Sequence, residues 1–408
     1  MLNPRAHAVV EPPSDTPMAP PIRIARVIAR LNIGGPAQQA ILLTAGLDPS
    51  RFHSTLITGV VGRAEGDFSP AAHARGVRPI IIPELGSAIH PSHDLLALAK
   101  LVRLFRQLRP DLVHTHTAKA GALGRVAARL AGVPASIHTF HGHVLEGYFS
   151  PGVTQLFTRI ERGLARITDR IVTLSPRLRR ALLEMRIGRP EQVEVVPLGL
   201  DLNRFVHMSK GGNRLRLALQ IPPDTPLLGI IGRLVPIKDH PTLFRALRLL
   251  PDGTRAPHLL VVGDGGQREE LQRLVHLLGL ASRIHFLGWR NDLEAILGEV
   301  DVVICCSRNE GTPVALIEAM AAAVPVLSTD VGGAGDLVAH GETGWLVPAA
   351  DPGALAQGIQ RLLADHDLRR RLADTAQPIA LERHNTERLV ERMGKIYTEV
   401  LAEKGGRG

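Results

Sequence analysis

With 408 residues the chain exceeds an ordinary single domain and leaves room for two, and its 45% hydrophobic and 21% charged residues describe a globular rather than a disordered protein. No apolar run reaches the roughly 18 to 20 residues that span a bilayer, and the start MLNPRAHAVVEPPSDTPMAPP lacks the apolar core of a signal peptide, so a cytoplasmic chain is expected. The formal charge of +9 admits nucleic acid, an anionic membrane surface or anionic small substrates, and an aromatic fraction of 3% without zinc-finger spacing argues against nucleic acid.

Residues 1–20 read as a Pro-rich disordered leader. From Ile22, β-branched runs alternate with longer amphipathic stretches, the pattern of βαβ units and a parallel sheet. IRIARVIARL, STLITGVV, RPIIIP, DLVHTHT, ASIHTF and RIVTLS predict strands. Helices are expected over Gln38 to Gly46, His93 to Leu108, Ala120 to Leu130, Thr154 to Ala165 and Arg177 to Glu184. The series restarts with PLLGIIG, HLLVVG, RIHFLG, DVVICC and VPVLSTD, which predicts two doubly wound, Rossmann-like domains rather than one oversized sheet. The break falls in VEVVPLGLDLNRFVHMSKGGN, near Arg204, giving a first Rossmann-like domain over 21–203 and a second over 204–380. The charged helical pattern of 381–408 is expected to return to the first domain as a strap. Cys305 and Cys306, adjacent at a strand end, read as small core residues.

Ligands of open parallel sheets bind beyond the carboxyl ends of the strands, so the loops after the strands are the places to look for chemistry. After the first strand, Gly34 and Gly35 let the backbone approach a ligand at a helix start, although a Gly-Gly turn is as often only a tight turn. The next strands bring His114, His116, His138, His141 and His143 to neighbouring ends. They lack the His-Glu-x-x-His pattern or cysteines of a zinc site, and no metal is expected. His141, just before Gly142, is best set to meet a polar substrate, whereas His114 and His138 read as satisfying backbone groups. In GRLVPIKD, Arg233 ends a strand and Lys238 is expected to open a helix, suited to a diphosphate, or else both are solvated surface charges.

The most specific segment is SRNEGTPVALIEAMAAAVPV. Glu310 lies in a loop, Gly311, Thr312, Pro313 and Val314 start a helix with proline in its first turn, and Glu318 follows eight positions after Glu310. One reading has Glu310 cap the helix and Glu318 face solvent. Yet Glu318 sits within ALIEAMAA, where an unpartnered carboxylate is costly, and that favours a functional role.

These segments resemble glycosyltransferase family 4, a large retaining family of two-domain GT-B architecture. The resemblance covers nearly the whole chain after the leader: the Gly-Gly loop, HTFHGH, VVPLGLD, GRLVPIKD, VVGDG, FLGW, EGTPVALIEAMA and STDVGGAGDLV. Its most specific mark is the pair of glutamates with seven residues between them. The resemblance implies that Glu310 contacts the donor sugar, Glu318 the ribose, Arg233 and Lys238 the diphosphate, with Gly34 and Gly35 beside it, His141 near the sugar and Trp289 near the base. Asp239 stands after Lys238 where many members have Gly. The expected catalytic residues are therefore His141, Arg233, Lys238 and Glu310. Gly34, Gly35, Gly311, Thr312, Pro313, Val314 and Glu318 are expected to bind substrate, with no metal and no cofactor.

The implied activity is transfer of a sugar from a nucleotide-diphosphate donor, UDP- or GDP-linked, to a glycan or lipid-linked acceptor with retention. A nucleotide-sugar epimerase on the same plan is the alternative enzyme, lacking a clear acid/base set in this sequence. A basic membrane or nucleic-acid binder is the alternative without catalysis, and it leaves the two glutamates unexplained. HDLLALAKLVRLFRQLRPD offers a stripe of Leu95, Leu98, Val102 and Phe105 beside Lys100, Arg103, Arg106 and Arg109, which predicts peripheral contact with the inner face of an anionic membrane unless the stripe packs on the sheet.

Overall fold

The computed structural model describes residues 20–62, 66–86, 89–142, 150–208, 211–251, 253 and 256–405; the leader up to residue 19 and His143 lie outside them. The first sheet contains β1 (Ile22–Ile28), β2 (Phe52–Thr58), β3 (Ile80–Ile81), β4 (Leu112–His116), β5 (Ala135–Phe140), β6 (Arg170–Thr173) and β7 (Val193–Val195). The second contains β8 (Leu227–Ile231), β9 (His258–Val262), β10 (Ile284–Gly288), β11 (Val302–Cys305), β12 (Val326–Thr329) and β13 (Trp345–Val347). The strand orders are β3-β2-β1-β4-β5-β6-β7 and β10-β9-β8-β11-β12-β13, and the strand pairings are parallel. Each order reverses once, between β1 and β4 and between β8 and β11. A crevice at such a reversal is where doubly wound sheets bind ligands.

Helices cover both faces of each sheet, so the central strands are buried along their whole length, β4 and β5 included. Their histidines and threonines must therefore find partners inside the protein. Two elements depart from the sequence reading. The run RPIIIP yields only two strand residues before a 3₁₀ turn at Pro83–Leu85, because Pro79 and Pro83 carry no N–H for a ladder. Strand β13 was not expected, since three residues are too few for alternation to register.

The helix Pro91–Leu108 turns its apolar stripe inward. Phe105 is buried with Ala97 and Leu101, Leu98 and Val102 pack against the same cluster, and Lys100 pairs with Glu84 at 2.6 Å. Leu95 and Leu96 alone among the large apolar side chains of this helix are exposed, so three of the four residues of the stripe read as membrane-facing, Leu98, Val102 and Phe105, pack on the core and Leu95 does not.

The chain crosses between the sheets twice, side by side. Leu198, Leu200, Leu202 and Phe205 enter the core of the second half after β7. On the return, the Leu200 N–H donates to the His384 carbonyl at 2.7 Å, and His384 Nδ1 lies 2.8 Å from the Leu198 carbonyl. The helix Thr386–Gly405 then packs Leu389, Met393, Ile396, Tyr397 and Val400 among Ile24, Leu43, Phe52, Ile137 and Val172 of the first half. Met393→Ala leaves a hole in that seam, and the expected loss is about 2–5 kcal/mol, read as a lower urea midpoint for the first domain. An unchanged midpoint would mean that the helix rests on the surface without supporting the core.

Candidate active site

The two sheets face each other across a cleft of ≈ 630 Å³, walled by the loops after β1, β4, β5, β8 and β11. Every residue expected to be catalytic or to bind substrate lies on it: Gly34, Gly35, His141, Arg233, Lys238, Glu310, Gly311, Thr312, Pro313, Val314 and Glu318. Gly34 has φ 156 and ψ 165, a backbone state that side chains rarely tolerate, and it starts the helix Gly35–Gly46 at the edge of the cleft. The facing loop comes just as close, with a Cβ on Gly35 falling 3.2 Å from Val314 Cγ2.

Two details of local structure differ from the sequence reading. Lys238 ends a 3₁₀ turn at Pro236–Lys238, and the helix begins only at His240, because Asp239 between them adopts the left-handed conformation at φ 50, ψ 41. Aspartate tolerates that conformation better than most side chains. Here its carboxylate is buried and accepts from Thr242 Oγ1 and Arg308 Nε, both at 2.9 Å. Pro313 likewise stands outside the helix as its N-cap, with ψ 96, and the helical residues run Val314–Ala321. Glu310 makes no cap there. Its carboxylate is held by Lys238 Nζ and by Ser307 Oγ at 2.6 Å.

Charge in the cleft is arranged in pairs. Burial works against the Lys238 ammonium, but the carboxylate of Glu310 offsets it and the lysine pKa is raised. Glu318 is buried within its helix and meets Arg204 NH2 at 3.3 Å, while Arg204 NH1 lies 3.5 Å from Glu294. Burial drives the Glu318 pKa up to about 7, against the pull of Arg204. Arg233 is half-buried on the cleft wall and has no carboxylate partner among the described residues. Among the described residues the cleft thus keeps one cation without a carboxylate, on the same lining as two helix N-termini, those of Gly35–Gly46 and Val314–Ala321, which favour negative charge.

On the first-sheet side, His141 Nε2 lies 2.9 Å from His116 Nδ1, and its Nδ1 is buried without a partner among the described residues. Burial lowers the His141 pKa to about 3, so the ring is neutral at working pH. His114 bonds to side chains rather than to backbone, those of Tyr397, Arg26 and Thr139, whereas His138 meets Thr115 through its backbone as well as its hydroxyl. The sequence reading left out Arg204, Ser307 and His240, which also line the cleft. A buried Glu318 signalled that some cation had to approach, but nothing in the sequence distinguished Arg204 from its neighbours.

Two family models together match most of the chain: Glycosyltransferase Family 4 over residues 33–204 and Glycosyl transferases group 1 over 213–378. The chain belongs to glycosyltransferase family 4. The transferase is 31% identical to the 2-deoxystreptamine glucosyltransferase of Streptomyces kanamyceticus over 66% of its own length and 72% of that protein. It is 28% identical to the UDP-Gal:alpha-D-GlcNAc-diphosphoundecaprenol alpha-1,3-galactosyltransferase of Escherichia coli over 80% and 85% of the two chains. The crystal structure of HepE from Anabaena in complex with UDP-glucose has a TM-score of 0.78 and 25% identity, covering 93% of the transferase and 100% of HepE. The fold is GT-B: two Rossmann-like α/β domains facing a cleft.

The raised pKa of Glu318 has a consequence for stability. Its folded value, about 7, lies above the ordinary 4.5, so its contribution is fully present below about pH 4.5 and is lost as pH rises through about 7. Glu318→Gln stays neutral throughout. Its melting temperature relative to the parent protein should therefore climb between pH 5 and pH 8, and a difference independent of pH would show that the carboxyl is not shifted.

Proposed function

We propose that this glycosyltransferase moves a sugar, with retention, from a UDP- or GDP-linked donor held by the second domain to a glycan or lipid-linked acceptor entering over the first. The reading rests on one observation above all: Glu310, Glu318, Arg233 and Lys238 wall a single cleft at the strand-order reversal of the second sheet. The names of the Escherichia coli relative and of the HepE complex support a uridine diphosphate donor, and the former supports a lipid-linked acceptor.

In this reading Glu318 receives the ribose hydroxyls and Glu310 the sugar hydroxyls, with Gly34, Gly35, Gly311, Thr312, Pro313 and Val314 shaping the donor pocket. Arg233 and Lys238 meet the diphosphate, whose oxygen gains negative charge as the sugar becomes cationic. The acceptor hydroxyl attacks C1 from the face the diphosphate leaves, and its proton passes to the departing phosphate oxygen. A neutral His141 orients the sugar and takes no proton. Closure of the cleft excludes water as a competing acceptor. Contact with an anionic membrane surface belongs to the same reading, with exposed Val153, Leu156 and Ile160 beside exposed Arg159 and Arg166 as its face.

Calorimetry on two alanine variants tests the division of roles. Glu318→Ala should weaken intact donor and free nucleotide diphosphate alike, whereas Glu310→Ala should weaken the donor and spare the nucleotide. Equal losses for the free nucleotide would overturn the assignment. Arg233→Ala and Lys238→Ala should lower turnover by about 100- to 1,000-fold, more than they lower donor affinity.

Because two cations and two helix ends already face the diphosphate, turnover is expected to survive EDTA. Loss in EDTA restored by Mg²⁺ or Mn²⁺ would contradict this.

A further inference from the structure

Arg26, in the middle of β1, is fully buried, and no carboxylate pairs with it among the described residues. Its Nε donates to Thr44 Oγ1 at 3.2 Å. Its NH1 stands 2.7 Å from His114 Nδ1, 3.1 Å from Tyr397 Oη and 3.5 Å from His116 Nε2. A guanidinium carries five donors and no acceptor, and it does not lose its charge in a protein. Every nitrogen that faces it at these distances must therefore present a lone pair, because an N–H pointed at it would set donor against donor.

That constraint propagates. His114 is bare at Nδ1, so the proton of its neutral ring sits on Nε2 and donates to Thr139 Oγ1 at 2.8 Å. Tyr397 Oη accepts from Arg26 and lies 2.7 Å from the same Nδ1, where its O–H and the Arg26 N–H share the one lone pair. His116 is bare at Nε2, so its proton sits on Nδ1, 2.9 Å from His141 Nε2. His141 must accept there, and its one proton is left on Nδ1, the ring nitrogen that is buried without a partner among the described residues, in a side chain lining the cleft.

We propose that Arg26 is a positioning residue which, through His116, fixes His141 as a neutral Nδ1–H donor at the wall of the cleft, aimed at an oxygen acceptor of the bound ligand. Only the identity of that ligand depends on the function proposed above; the tautomer is a property of the free protein. Burial, joined by the charge of Arg26, holds His114 and His116 well below the ordinary histidine range, so the relay works with neutral rings. Tyr397 brings the C-terminal helix into the same relay, which links the packing of that helix to the orientation of a side chain in the site.

Nitrogen-15 spectra of histidine-labelled full-length protein, with the His141 signals assigned by their loss in His141→Ala, read the tautomer directly. The expected spectrum has N–H character at Nδ1 and a bare Nε2. The reverse pattern in the unmodified protein overturns the proposal whatever the variants do. Arg26→Lys, which keeps a cation without an acceptor, and His116→Asn, which keeps an N–H near the Nδ1 position, should retain the pattern. Arg26→Met and His116→Leu should lose it to the other tautomer or to a mixture. Folded Arg26→Met or His116→Leu protein with an unchanged His141 spectrum would mean that the relay does not set the ring.

Discussion

Where the loop after β5 meets the loop after β11, a Cβ on Gly311 would fall 1.9 Å from the carbonyl oxygen of His141 and 2.7 Å from the Cα of Gly142. No side chain fits in such a contact, so the absence of one at position 311 sets how near the two sheets can come. The neighbouring contacts depend on the same approach. Arg177, at the start of the helix Pro176–Glu184 in the first half, reaches Asp330 at 2.7 Å, and its backbone N–H donates to Asp336 at 2.7 Å, both in the second half. His141 and Glu310 come from different domains and lie on one cleft because their backbones touch.

Within that approach, electrostatics decides which groups remain available. A cleft with several buried charges is unfavourable unless they are paired, and here most are: Lys238 with Glu310, Arg204 with Glu318, Arg308 with Asp239. Arg233 differs in having no carboxylate partner among the described residues, and the N-termini of two helices add partial positive charge to the same cleft. The net result is a neutralised wall with a positive opening, which suits a ligand that carries a diphosphate. The left-handed turn at Asp239 serves the same arrangement, since it breaks the chain between Lys238 and the helix that follows.

The first sheet meets a different demand. Its central strands are buried yet carry Arg26, His114, His116, Thr115, His138 and Thr139, polar groups that would be costly in an apolar core without partners. They bond to one another and, through Tyr397, to a helix far away in sequence, so the order of the site side chain His141 is coupled to the end of the chain.

The sequence by itself determined the alternation of strands and helices, the division into two sheets and the candidate residues of the second-domain wall. Those features are local: β-branched runs, turn residues and the spacing of Glu310 and Glu318 are each written within about a dozen positions. The stripe on Pro91–Leu108 was legible as amphipathic, but whether its apolar face met the sheet or a membrane depended on what packed against it. Strand β13 was too short to show a period, and Lys238 was misread as a helix start because the conformation of Asp239 is not encoded in its identity. Only the tertiary structure decided that Arg204 is the partner of Glu318, that Glu310 holds Lys238, and that a cation in β1 faces two histidines and a tyrosine. These pairings join residues that are tens to hundreds of positions apart, and their energies come from burial and from distances that exist only once both sheets have closed on each other.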